Sequence, residues 1–214
     1  MSKINTLVFN PVQVNTYVIS SSDNSCIIVD PGCYGEYEEK ILSEFIGENN
    51  LKPVKIIYTH MHVDHILGNN FVQKKWDIPY LCHPKSKLFI DTAKEFGSVM
   101  GLKLEPIGDP GEFLNHGDIV KFGDTELEVR YTPGHADGSI CLVNHNEKYV
   151  LTGDVLFNSS IGRSDLPTGD HNTLLESIER ELLTLDGSYA VYPGHGPAST
   201  IEYEKNNNPF LQHL

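Results

Sequence analysis

The run Thr59-His60-Met61-His62-Val63-Asp64-His65 sets four metal-ligating side chains within six positions, and three more, His135, Asp154 and His195, stand later in glycine-flanked turns. Imidazole and carboxylate donors together suit Zn, Mn or Fe, and one such ion takes roughly four to six ligands. Seven convergent candidates exceed the needs of one centre, so the pattern predicts two ions. A bridging carboxylate would hold them about 3.5–4 Å apart, and a water shared between them would lose a proton near neutral pH and become a nucleophile. The chemistry expected is hydrolysis.

Donors so far apart in sequence converge only if the elements before them end together. Apolar runs at Leu7–Phe9, Val12–Ile19 and Cys26–Val29 predict strands, and Tyr37, Ile41, Leu42, Phe45 and Ile46 put one stripe on a helix spanning about 35–50. A strand over Lys55–Tyr58 delivers its end into the His60 run. Helices near Leu67–Lys75 and Pro84–Phe96 follow, with a strand at Ile78–Leu81 between them. Beyond Gly108-Asp109-Pro110-Gly111, strands are expected at Ile119–Phe122, Glu126–Tyr131, Ile140–Val143, Tyr149–Leu151 and Tyr189–Tyr192, with a helix over Asn172–Leu185. This is an α/β grammar. The donors come just after strands: Tyr58 before His60, Tyr131 before His135, Leu151 before Asp154, Tyr192 before His195. His60 and His62 can face one ion while Asp64 and His65 turn towards a neighbour. The later turns are constrained by Pro133-Gly134, Gly153 and Pro193-Gly194.

The chain has 214 residues and a formal net charge of −13, and its Lys and Arg form no stripe, which argues against a nucleic-acid partner. No stretch approaches the ~18 apolar residues of a membrane span, and no apolar leader opens the chain, so a cytoplasmic protein is expected. Cys26, Cys33, Cys82 and Cys141 lack metal or redox spacing and are expected to be buried free thiols, with Cys33 at a strand end the one to watch. His83, His116, His145, His171 and His213 have no ligand spacing and are expected at the surface or at caps.

The H-x-H-x-D-H run followed by separated His, Asp and His resembles the signature of the metallo-β-lactamase superfamily, matched at all seven positions and in order. Gly162-Arg163-Ser164-Asp165-Leu166-Pro167, Gly169-Asp170-His171 and Gly194-His195-Gly196-Pro197 with Asn208-Pro209-Phe210 are most similar to the short glyoxalase II-like hydrolases. The resemblance implies a four-layer αββα sandwich over residues 1–214, a single domain with halves of roughly 1–110 and 111–214. It implies His60, His62 and His135 on one metal, Asp64, His65 and His195 on the other, and Asp154 bridging. Asp64 and Asp154 are the expected catalytic carboxylates. The cofactors implied are two divalent ions per chain, Zn or else Fe or Mn, and the partner is a small-molecule thioester or ester.

Departures from relatives narrow the expectation. The commonest di-zinc β-lactamases carry a Cys in the region of Asp154, which disfavours antibiotic hydrolysis. Only nineteen residues follow His195, so the helical domain with which classical glyoxalase II enzymes hold glutathione is not expected. A mononuclear-iron oxidation resembling persulfide dioxygenase, whose similar Gly-Arg-Thr/Ser-Asp stretch matches residues 162–165, is the alternative. A non-catalytic metal-binding scaffold is the third.

Overall fold

The computed structural model describes residues 1–99 and 101–212. Its first sheet has the strands β1 (Lys3–Phe9), β2 (Val14–Ser20), β3 (Ser25–Val29), β4 (Lys52–Ile57), β5 (Tyr80–Cys82) and β6 (Glu112–Phe113), bonded in that order. β1 to β3 form an antiparallel meander and β3 to β6 run parallel. Parallel neighbours need long crossovers, and these carry the helices α1 (Gly35–Glu48), α2 (Val63–Ile66), α3 (Asn69–Trp76) and α4 (Lys87–Val99).

The second sheet begins with β7 (Ile119–Phe122), β8 (Thr125–Tyr131), β9 (Ile140–Asn144) and β10 (Tyr149–Gly153), antiparallel throughout. A separate hairpin, β11 (Leu156–Phe157) and β12 (Ser160–Ile161), and then α5 (His171–Ser177) lead to β13 (Ala190–Pro193), which pairs parallel with β10. β14 (Ser199–Thr200) and α6 (Ile201–Asn207) follow.

Side chains alternate between the faces of a strand, and that alternation builds the layers. On β3, Ile27 and Val29 join Leu127, Val129, Ile140 and Leu142 in a core between the two sheets. Cys26 and Ile28, pointing the other way, pack with Leu42, Ile46, Val72 and Phe89 of the helices. On β9, the outward Cys141 and Val143 meet Leu174, Ile178, Leu182 and Ile201. The result is helix, sheet, sheet, helix, the architecture expected.

Several elements differ from expectation. The helix expected over 172–185 is α-helical only to Ser177 and continues as a π turn over Ile178–Leu182, with Leu183 N bonded to Ile178 O at 2.9 Å. Pro84–Ser86 is a 3₁₀ turn ahead of α4. The two-residue strands β6, β11, β12 and β14 and the helices α2 and α6 were not anticipated; two residues are too few to show a period. No described helix is long and apolar enough to cross a membrane.

Pairing also fixes where the loops emerge. β8 and β10 are each antiparallel to β9, so they point the same way, and β13 is parallel to β10. The loops after Tyr131, Gly153 and Pro193 therefore leave one edge. β3 and β4 likewise end side by side, at Val29 and Ile57. Backbone bonds from Ile140 N to Thr59 O, 2.8 Å, and from Asn15 N to Gly194 O, 2.7 Å, join the two sheets at that edge.

Candidate metal centre

All seven donors singled out in the sequence meet at this edge. His60 lies three residues beyond β4, and Asp64 and His65 sit in the first turn of α2. His135, Asp154 and His195 come from the loops after β8, β10 and β13. One ligand atom each from His60, His62 and His135 lies within 4.8 Å of the others, and so do those of Asp64, His65 and His195. Asp154 stands between the groups: its Oδ1 is 3.4 Å from His65 Nε2, and its Oδ2 is 3.5 Å from His195 Nε2 and 3.7 Å from His135 Nε2.

The hydrogen bonds behind the rings decide which nitrogens face inward bare. His135 Nδ1 donates to Arg163 O at 2.7 Å, His65 Nδ1 to Asp30 Oδ2 at 3.0 Å, and His195 Nδ1 lies 3.0 Å from Val12 O. Each acceptor is an oxygen without a proton, so each Nδ1 is taken up as a donor and Nε2 is the nitrogen that offers a lone pair when the ring is neutral. Thr59 gives its hydroxyl proton to Asp30 Oδ2 at 2.5 Å and so accepts from His60 Nδ1 at 3.2 Å, which leaves His60 Nε2 bare as well. His62 Nδ1 then lies 3.1 Å from His60 Nε2 and 2.9 Å from His135 Nε2. One proton on it could satisfy only one of those lone pairs.

Electrostatics follow the same division. Burial, aided by His65, lowers the pKa of His60; burial and then His135 bring His62 down to about 3, and burial lowers His135. Three neutral imidazoles therefore converge. At His65 burial opposes charge, but Asp64, Asp154 and Asp30 outweigh it and hold the pKa well above the ordinary imidazole value. His195 is raised as well, with Asp64 and Asp154 outweighing its burial. Burial would push Asp64 and Asp154 up, yet the facing imidazoles hold both below the usual carboxylate range.

This donor set fits divalent cations. His65 Nε2 and Asp154 Oδ1 are buried and without a hydrogen-bond partner. Their 3.4 Å separation exceeds the about 2.7–2.9 Å of a charge-assisted hydrogen bond. It suits two donors around one ion at about 2.0–2.2 Å from each. Asp30, His60 and His65 also cluster, but Asp30 already accepts from Thr59 N, Thr59 Oγ1 and His65 Nδ1. Asp30 is a support that orients His65, an arrangement common behind metal-bound histidines.

Sequence reasoning passed over Asp30 and Thr59 as site residues. The signal was present: Asp30 ends an apolar strand and precedes Pro31-Gly32, as the later donors end theirs. Asp30→Asn tolerates the positive φ of 49° at this position, but its amide has one acceptor oxygen for three donors. It is expected to weaken metal binding about 10–100-fold, measured by competition against a chelator; unchanged affinity would remove Asp30 from the support.

Gly194 shows how tightly the turns are fitted. A Cβ there would lie 2.1 Å from Asp154 Oδ1 and 2.9 Å from His65 Cε1. Gly194→Ala is therefore expected to displace Asp154, and an ångström of misplacement at a reacting centre costs about 10²-fold in rate. Metal content and turnover of the variant, measured together, check this, and wild-type values for both would refute it.

The remaining residues singled out take structural places. Arg163 and Asp165 form a two-pronged ion pair at 2.8 Å and 2.8 Å. Asp170 caps α5 by accepting from Thr173 N, and the exposed His171 opens that helix. His83 caps the 3₁₀ turn, accepting from Lys85 N at 3.2 Å, but it is buried and stacked on Tyr131, not at the surface. His116 accepts from Tyr131 N, His145 pairs with Glu128, and His213 lies outside the described residues. The four cysteines are free and buried; burial pushes the Cys33 thiol up to about 12, too high for a nucleophile.

The model of the metallo-beta-lactamase superfamily matches residues 9–195. A probable metallo-hydrolase of Bacillus subtilis is 40% identical over 202 residues, 94% of this chain and 93% of that one. A hydroxyacylglutathione hydrolase of Haemophilus influenzae is 35% identical over 205 residues, 93% of each chain. Among solved structures, the B3 metallo-beta-lactamase BLEG-1 superposes with a TM-score of 0.91 at 33% identity, covering 98% of this chain and 100% of that one. TTHA1623 in a di-iron-bound form gives 0.87 at 32% identity over 97% and 100%. ETHE1 from Myxococcus xanthus gives 0.80 at 25% identity over 97% and 83%.

Proposed function

The chain belongs to the metallo-β-lactamase superfamily, and from that membership we propose that it is a di-metal hydrolase of acyl thioesters or esters, of the glyoxalase II-like kind. The observation that carries the reading is Asp154, set between two three-residue donor groups with its buried Oδ1 and His65 Nε2 left unpartnered. Similarity to a relative named hydroxyacylglutathione hydrolase supports the thioester. His60, His62 and His135 would hold one ion, Asp64, His65 and His195 the other, with Asp154 shared. Zn, Fe and Mn all suit these donors, and a di-iron form of a relative sharing 32% identity favours considering iron beside zinc. The net charge of −13 favours a small-molecule partner over nucleic acid or an anionic membrane.

A pair of divalent cations, when bound, would supply Lewis acidity towards a carbonyl and bring the pKa of water near neutrality. The chain supplies the rest. Asp64 and Asp154 stay ionised, so the donor set would place two negative charges and five imidazoles against two dications and leave the loaded centre net positive. Asp64 faces the open cavity with His135, Asp154 and His195, where its ionised carboxylate can accept a hydrogen bond from an attacking water and aim the lone pair. The buried rings of His60 and His65 keep bulk water from the back of the site.

Metal stoichiometry with a substrate panel tests the reading. Two ions per chain and cleavage of thioesters, lactoyl-glutathione included, are expected. A cephalosporin belongs in the panel because BLEG-1 shares the fold at 33% identity. One iron with oxygen uptake on a persulfide would replace hydrolysis by oxidation, a reading supported by the Gly162-Arg163-Ser164-Asp165 stretch. No activity with any metal would leave a binding scaffold.

A further inference from the structure

Two cavities meet at the donor cluster, and their chemistry differs. The one of about 420 Å³ is walled by His135, Asp154 and His195. The other, of about 280 Å³, runs under α4 and is walled by Phe89, Ala93, Phe96, Leu166 and Pro167. His62, Asp64, Arg163 and Leu166 border both. A carbonyl held at the cluster therefore has one substituent directed along this apolar wall. We propose that the cavity between α4 and the Arg163–Pro167 loop is an acyl pocket for a linear aliphatic chain, so that the enzyme prefers aliphatic acyl thioesters to small hydroxyacyl ones. This rests on the thioester reading above and assigns the half of the substrate that reading leaves open.

Three features point to an aliphatic chain. Phe89, Ala93 and Phe96 recur at the spacing of one helical face; Phe89 and Ala93 are buried, but Phe96 is 41% exposed, a large apolar ring left at the rim. Charge favours a neutral chain: among the described residues Arg163 is the one Lys or Arg lining either cavity, and its charge is paired with Asp165 through Nε and Nη2. Size sets the third limit, because about 280 Å³ is below the usual range of about 300–1,000 Å³ for whole small-molecule ligands. One chain fits there, and the thiol carrier stays on the wider side, where His135, Asp154 and His195 lie.

The test uses acetyl, butyryl, hexanoyl and octanoyl thioesters of one neutral thiol, N-acetylcysteamine, with the metal-loaded protein. Burial of each methylene should raise kcat/KM about fourfold until the pocket is full. Ala93→Leu should lower the octanoyl-to-acetyl ratio at least tenfold, and Phe96→Ser, at an exposed position where folding is not at stake, should flatten the slope. Binding of straight-chain carboxylates of two to eight carbons, followed by calorimetry, supplies a readout independent of turnover. Affinity rising with length and lost in Ala93→Leu supports the pocket even if no thioester is cleaved, in which case the thioester reading alone fails. Flat dependence on chain length in both series, or length ratios unmoved by both substitutions, overturns the proposal.

Discussion

Asp154→Ala is expected to leave the protein with at most one firmly held ion per chain in place of two, and to lower thioester turnover roughly 10³-fold or more. The expectation comes from position. Asp154 is the residue whose two oxygens approach both groups, 3.4 Å from His65 on one side and 3.7 Å from His135 on the other. Every other donor can be lost with one group intact. Its removal also leaves His65 Nε2, already without a hydrogen-bond partner, facing an empty volume. The fold should survive, because the three hydrophobic cores lie within the layers and none includes Asp154. Circular dichroism with metal analysis by atomic emission separates the outcomes. Two ions per chain in a folded Asp154→Ala protein would show that the carboxylate does not bridge.

Removal of metal by a chelator is expected to lower the melting temperature by about 10 °C or more. Five imidazoles and two carboxylates meet at the donor cluster, and without a cation only protons on His65 and His195 offset the two carboxylates. An ion present at a thousand times its dissociation constant stabilises the native state by about 4.1 kcal/mol. For a domain of this size each kcal/mol moves the melting point by about 2–4 °C. Differential scanning calorimetry before and after chelation, then after restoring zinc or iron, measures the shift and its reversal. A melting point indifferent to chelator would mean that the donors hold no ion strongly enough to matter.

Sequence and structure divide the account along a physical line. The alternation that sends Ile27 and Val29 to one face and Cys26 and Ile28 to the other is a property of adjacent residues, so the layers were legible before any contact was known. The donors were legible for a related reason. His60, His62, Asp64 and His65 crowd one turn, and the later three sit in turns marked by Gly and Pro.

What stayed hidden depends on partners distant in the chain. His195 owes its inward lone pair to carbonyls of Val12 and Gln13, more than 180 positions earlier, and His65 owes its tautomer to Asp30. The strands β6, β11, β12 and β14 are two residues each and exist through their neighbours. The apolar cavity needs α4 to lie against the Arg163–Pro167 loop, which no local pattern announces. By itself, then, the sequence determined which atoms could hold metal and which faces of each strand would be buried, because both follow from residue type and short spacing. Only the tertiary structure decided which nitrogen of each ring faces inward, which carboxylate backs a histidine and which stands between the two donor groups, and where the apolar cavity lies. Those depend on loops from both sheets leaving one edge, and that is set by strand pairing.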